Sequence, residues 1–157
     1  MNYIIRELKE TEIHLLDDFI YESIFLKDDT IILPRSIIEK PEVKVYTENW
    51  GKPDDMCLVA VCDGKVCGAV WTRIINGYGH IDNETPEFAI SLYREYRGHG
   101  IGTAMMRAML SKLREKGYKQ ASLAVQKENY AVRMYKKAGF ETVDENEQEY
   151  IMICRLS

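Results

Sequence analysis

At 157 residues, with 46% hydrophobic and 29% charged content, the chain has the balance of one globular domain with a substantial core, which excludes a low-complexity or disordered polymer. A formal net charge of −4 argues against nucleic acid as a general partner. No run reaches the roughly 18 apolar residues of a membrane span, and Met1 to Glu7 lacks the basic and apolar regions of a signal peptide, so no membrane partner and a cytoplasmic location are expected.

In chain order, Tyr3 to Arg6 reads as a strand, and Thr11 to about Phe25 as an amphipathic helix with Thr11 as N-cap and Ile13, Leu16, Phe19, Ile20 and Ile24 on its apolar side. Pro34 is expected to open a short helix through Ile38 that Pro41 ends. The region from Ile31 to Trp50 is otherwise irregular in pattern. Met56 to Cys62 and Val66 to Ile75 form an antiparallel pair around the turn Asp63-Gly64. After the break at Asn76 to Gly79, Glu87 to Leu92 is a strand that feeds a glycine-rich turn. The following helix carries Ile101, Met105, Ala108, Met109 and Leu113 and stops at Gly117. Gln120 to Val125 is a strand, Tyr130 to Ala138 a helix ended by Gly139, and Phe140 to Val143 and Tyr150 to Leu156 are two final strands. No linker or repeat divides the chain, so residues 1–157 are expected to form a single α/β domain. Its order, β-α-α-β-β-β-α-β-α-β-β, gives a mixed, mainly antiparallel sheet flanked by helices.

The stretch Arg97-Gly98-His99-Gly100-Ile101-Gly102-Thr103 carries the chemistry. A glycine-rich turn entering a helix presents unpaired backbone N–H groups at the positive end of the helix dipole, which suits a phosphate or diphosphate. It is not a P-loop, because Thr103-Ala104 follows Gly102 where Gly-Lys-Ser/Thr is needed. It is not the dinucleotide fingerprint either, since Met105 stands where a third glycine belongs. Residues 94 to 119 hold seven Lys/Arg against two Glu, and Arg94, Arg97 and His99 lie near enough to the turn to aid an anion. The four cysteines, Cys57, Cys62, Cys67 and Cys154, have no zinc spacing, so no metal site or disulfide framework is expected.

Arg97, Gly100 and Gly102 match R-x-x-G-x-G, and Asn129 to Phe140 resembles N-x-A-[VI]-x-[LM]-Y-x-x-x-G-F. The pair, in this order and separation, resembles the GNAT family of acetyl-CoA-dependent N-acetyltransferases. The resemblance implies that this strand and helix order is the family's, and that the strand Glu87 to Leu92 splays from Gln120 to Val125 to admit the pantetheine arm. It implies acetyl-CoA as co-substrate, with Arg97, Gly98, His99, Gly100, Ile101, Gly102 and Thr103 around the diphosphate. It further implies backbone groups of Ile90, Ser91 and Leu92 along the pantetheine, Asn129 on the cofactor arm, and an oxyanion-stabilising N–H near Leu92. Tyr135 is implied as the general acid for the departing thiolate. Asn129 also suits the cap of the helix that follows, and Tyr135 a packing role.

Glu87 is the candidate base, although strand alternation puts it on the opposite face from Phe88 and Ile90. Glu84 is the reserve and His80 a third candidate. Family precedent builds the acceptor pocket from the N-terminal half, with Phe25, Trp71 and Tyr78 as its main residues and Ile31, Ile32, Tyr46, Trp50 and Arg73 beside them. The expected activity is acetylation of a primary amine of a small molecule in a ternary complex. Two rivals stay open: acetylation of a protein N-terminus or lysine, and a non-catalytic acyl-CoA sensor. A homodimer is also left open.

Overall fold

The computed structural model describes residues 1–26 and 30–157. Seven strands form one sheet in the order β1-β2-β3-β4-β5-β7-β6, with β1 Tyr3–Glu7, β2 Met56–Cys62, β3 Lys65–Arg73, β4 Glu87–Leu92, β5 Gln120–Gln126, β6 Phe140–Glu145 and β7 Glu149–Arg155. Every neighbouring pair is antiparallel except β4 and β5. The parallel pair follows from the crossover helix α3, Ile101–Glu115, between them. The expected element order and mixed sheet are therefore present.

The helices divide between the two faces. Ile101, Met105, Met106, Met109, Leu110 and Leu113 recur at helical spacing and bury one side of α3 against Leu58, Val70, Phe88, Leu123 and Met152. Gly117, at φ +87°, ends this helix, and the Tyr118 amide donates back to the Leu113 carbonyl at 3.1 Å. Helix α4, Ala131–Ala138, rests beside α3 on the same face and stops at Gly139, φ +111°. On the other face α1, Leu15–Ser23, buries Leu16, Phe19 and Ile20 against Val59, Ala69 and Trp71. No helix among the described residues is long and apolar enough to cross a membrane.

Two expected boundaries differ. Thr11 does not cap α1: residues Glu10–Glu12 form a 3-10 turn in which Glu12 accepts from the Lys9 amide at 2.9 Å and pairs with Arg6, and the α-helix begins at Leu15. That carboxylate bonds locally more strongly than a threonine hydroxyl, so the chain turns there before the helix starts. Pro41 opens a helical turn, α2, Pro41–Lys44, rather than ending one, because its fixed φ and absent N–H suit a first helical position. The hairpin between β2 and β3 turns at Asp63 and Gly64, φ +50° and +78°, as the sequence implied.

Strands β4 and β5 pair only at Glu87 and Ser122, where the Ser122 amide donates to the Pro86 carbonyl at 2.9 Å. Beyond that point they fork. Strand β4 continues through five more residues paired to β3 alone, to Leu92 opposite Gly68. Its outward edge is therefore left without a strand partner among the described residues.

Candidate functional site

A cleft of about 910 Å³ runs along this fork. Its floor is Ile90, Ser91 and Leu92, one end is the turn with Gly98, Gly100 and Gly102, and one wall is Asn129, Met134 and Tyr135 of the α4 segment. The opposite wall comes from the end of α1 and the segment after it, with Tyr21, Phe25, Ile31 and Leu33.

The turn folds as its glycines require. Gly98 and Gly100 have φ of +83° and +80°, and a Cβ on either would meet nothing within 4 Å. Glycine is required there by the left-handed backbone, and the open space beside it leaves the turn accessible. Gly100 is the residue before α3, and the first intrahelical bond runs from the Ala104 amide to the Gly100 carbonyl at 3.1 Å. The amides of Ile101, Gly102 and Thr103 precede it and have no helical acceptor. They form a cluster of N–H donors at the positive end of a 15-residue helix. Arg97 fixes the turn: its guanidinium donates to the Leu92 carbonyl at 3.1 and 3.2 Å and reaches Glu22 of α1 at 3.5 Å. The Ile101 side chain is buried in the core and His99 is exposed outside the cleft lining, so from these two only main-chain atoms are near.

On the floor, alternation turns the N–H and C=O of Ile90 and Leu92 toward the unpaired edge, while the Tyr93 amide bonds to the Cys67 carbonyl of β3 at 3.0 Å. The Ser91 side chain faces away and donates to the Phe19 carbonyl at 2.6 Å, so only its main chain borders the cleft floor. An unpaired strand edge leading to an anion-binding turn matches an amide-bearing chain that ends in a diphosphate. Asn129 caps: its side-chain oxygen accepts from the Ala131 amide at 2.9 Å. Tyr135 lies edge-on to Phe140 at 6.0 Å, and burial pushes its phenol up to about 12.

The remaining candidates sit elsewhere. Phe25 borders the cleft, but Trp71 does not: it is 0% exposed in the second core, with its indole N–H donating to the Tyr46 carbonyl at 3.0 Å. The assignment of Trp71 to substrate binding is corrected, since a ring sealed on all sides has no surface to offer. Arg73 is corrected likewise. It is 1% exposed, pairs with Asp55 at 2.9 Å, and donates to the Val45 and Glu48 carbonyls at 3.0 and 2.7 Å. Tyr78 is half exposed outside the cleft lining and stacks on Tyr46 at 6.4 Å.

Glu87 is 2% exposed, on the face of β4 opposite Phe88, Ile90 and Leu92. Its Oε2 accepts from the Tyr46 hydroxyl and from the Gly79 amide at 3.1 Å. Burial raises its pKa, and the hydrogen bonds from Tyr46, Gly79 and Gly77 oppose that rise. Glu84 lies on a separate hollow of about 670 Å³, and the His80 ring Nδ1 is 2.9 Å from the Ile75 carbonyl. Among the described residues, no group of three or more His, Cys, Asp or Glu side chains could hold a metal ion. Tyr46 and Ser122 are the polar neighbours of Glu87 that sequence reasoning did not connect with it. Tyr46 is 41 positions away and Ser122 is one polar residue in an apolar strand, so only the folded pairing joins them.

Residues 21–140 match the model of the Acetyltransferase (GNAT) family. A mycothiol acetyltransferase of Saccharomonospora viridis is 30% identical over 105 residues, covering 64% of this chain and 34% of that protein. The chain thus spans about a third of the length of the mycothiol acetyltransferases it matches. An acetyltransferase of Pectobacterium atrosepticum is 34% identical over 106 residues, covering 66% of this chain and 70% of that one. Among solved structures, the PaiA N-acetyltransferase of Thermoplasma acidophilum in complex with coenzyme A superposes with a TM-score of 0.71 at 22% identity, covering 99% of each chain. With the forked sheet, the glycine turn and a family match over most of its length, the chain belongs to the GNAT acetyltransferase family.

Proposed function

We propose that residues 1–157 act as a single cytoplasmic domain that transfers an acetyl group from acetyl-CoA to a primary amine of a small molecule, by direct attack with both substrates bound. The observation that carries this reading is the fork: an unpaired β4 edge that joins a cluster of free helix amides to Tyr135 within one cleft. The amides of Ile101, Gly102 and Thr103 hold the diphosphate, and the edge groups of Ile90 and Leu92 pair with the amide-bearing arm. When bound, acetyl-CoA supplies the thioester that the amine attacks. A main-chain N–H of the open β4 edge faces the carbonyl oxygen on which charge develops, a role worth ~3 kcal/mol in comparable sites.

Glu87 takes the proton from the amine, and burial, which raises its pKa, makes it a stronger base than an exposed carboxylate. Tyr135 gives its proton to the departing thiolate, and burial, which raises the phenol to about 12, keeps it protonated until that thiolate forms. A covalent acetyl-cysteine route is disfavoured because Cys57, Cys62, Cys67 and Cys154 are all buried and none borders the cleft.

The test is release of free coenzyme A across a panel of small amines and of peptides with free N-termini or lysines. Turnover with a small amine, and its loss in Tyr135→Phe with coenzyme A binding retained, is the expected result. Turnover confined to peptides would replace the acceptor class. Coenzyme A binding with no thiol release from any amine would leave an acyl-CoA sensor.

A further inference from the structure

The β2–β3 hairpin carries a bulge. Pairing runs in register from Met56 opposite Thr72 to Ala60 opposite Gly68 and then shifts, so that Val61 stands opposite Val66 and Cys62 opposite Lys65. Cys67 is the extra residue. Without the shift it would stand opposite Val61 and share that residue's side of the sheet, toward α1. With it, Cys67 joins Cys62 in the core against α3, although Ala69, two positions on, packs toward α1.

The bulge thereby brings two thiols together. Cys62 Sγ and Cys67 Sγ lie 3.0 Å apart, whereas Cys57 and Cys154 donate to main-chain carbonyls, at 3.7 Å to Leu58 and 4.0 Å to Ala138. Bonded sulfurs lie about 2.05 Å apart, so closing this pair asks for a movement of roughly 1 Å. Both residues are buried, but they flank the exposed turn Asp63-Gly64-Lys65, and the sulfur that covers Cys62, 3.9 Å away, belongs to the exposed Met1. A hairpin end of this kind opens more readily than the middle of a sheet. Burial, helped by the hydrogen bond shared with Cys62, pushes the Cys67 thiol up to about 12, so the pair rests as two thiols while the hairpin is closed.

The same bulge stands behind the cleft floor. The Cys67 carbonyl accepts from the Tyr93 amide at 3.0 Å, and a Cβ on Gly68 would lie 2.4 Å from Leu92 Cδ2. The last residues of β4 therefore rest on this end of β3.

We propose that Cys62 and Cys67 are a redox pair, which a small disulfide of the glutathione class converts to an intrachain disulfide that ties the hairpin end behind the cleft floor. The pairing does not depend on what the cleft binds. When the hairpin end opens, one thiol gives its proton to solvent, and the thiolate attacks a sulfur of the small disulfide, whose S–S bond breaks to release one small thiolate. The second protein thiol loses its proton likewise and attacks the protein sulfur of this mixed disulfide. A protein S–S bond forms, the mixed bond breaks, and the second small thiolate leaves. Both small thiolates take up a proton. Two protein thiols are thus oxidised by two electrons in all, and one small disulfide is reduced to two thiols. In a reducing compartment the reverse exchange restores the thiols.

The experiment incubates the unmodified chain, Cys62→Ala and Cys67→Ala with excess oxidised glutathione, and reads intact mass, tryptic peptides and melting temperature before and after dithiothreitol. The unmodified chain should lose about 2 Da, the two thiol hydrogens. Trypsin should release residues 45–65 joined to residues 66–73 through Cys62 and Cys67, with Cys57 and Cys154 still open to alkylation in denaturant. The melting temperature should rise by roughly 5 °C, because the tie removes freedom from the unfolded hairpin, and dithiothreitol should reverse every change. Neither alanine variant should show the loss of mass or the rise. An unchanged mass in the unmodified chain, a mixed disulfide that goes no further, or a bond through Cys57 or Cys154 would overturn the pair. A Cys62–Cys67 bond with no rise in melting temperature would overturn the tie. Should either variant not fold, the peptides of the unmodified chain decide alone, and none of these readings needs acetyl-CoA or turnover.

Discussion

Arg73 and Trp71 illustrate what single residues disclose and conceal. An arginine and a tryptophan at the end of an apolar strand resemble the wall of a binding pocket, yet both are sealed in the core behind α1 and the 45–55 segment. Their partners, Asp55 and the carbonyls of Val45, Glu48 and Tyr46, lie 18 to 28 positions away, and no local pattern couples them. Removing one member of a buried ion pair leaves the other charge uncompensated, which costs about 3–5 kcal/mol. Asp55→Ala should therefore lower the melting temperature on the order of 10 °C, measured by calorimetry, with the coenzyme A affinity of the remaining folded protein unchanged. Tyr135 behaves differently. It packs on Phe140, but its hydroxyl forms no hydrogen bond within the described residues, so Tyr135→Phe should keep the melting temperature while lowering kcat by ~100-fold.

Whole elements were more legible than their ends. Four of the six buried positions of α3, Ile101, Met105, Met109 and Leu113, its glycine stop, and the Asp63-Gly64 hairpin follow from periodicity and turn chemistry, and the structure has them; Met106 and Leu110 are buried as well, and Ala108 is half-buried. Thr11 and Pro41 misled because each residue type serves two purposes, and the choice between them was made by neighbours: Arg6 and Lys9 draw Glu12 into a turn, and Lys40 adopts the extended backbone that lets Pro41 lead a helix. The fork between β4 and β5 has no periodic trace, since splaying changes pairing and not which residues are apolar. The family blocks alone pointed to it. The β1 to α1 junction also carries a pH signal. Hydrogen bonding to Arg6 holds the Glu12 carboxyl down at about 2 against an ordinary 4.5. A depressed carboxylate adds stability that is present above 4.5 and lost as pH falls toward 2, because protonation breaks the pair. The melting temperatures of the unmodified chain and Glu12→Gln should differ at pH 6 and converge as pH falls through that window; a constant gap would show that Glu12 acts through shape alone.

Across the molecule, one sheet separates two apolar cores, and the cleft lies where the sheet fails to close. Helix α3 anchors one side of that opening and α1 the other, with Arg97 linking them through Leu92 and Glu22. A chain with −4 net charge thus has a local N–H cluster beside a stretch, residues 94 to 119, with seven Lys/Arg against two Glu. Everything assigned to the cleft depends on main-chain amides between Arg97 and Thr103 holding a diphosphate. Isothermal titration of coenzyme A into the unmodified chain and into Gly100→Val measures that directly, because a β-branched residue at φ +80° distorts the turn without touching Tyr135 or Glu87. A saturable one-to-one heat that weakens at least roughly tenfold in the variant is the expected result; no heat with the unmodified chain, or equal affinity in both, would contradict it.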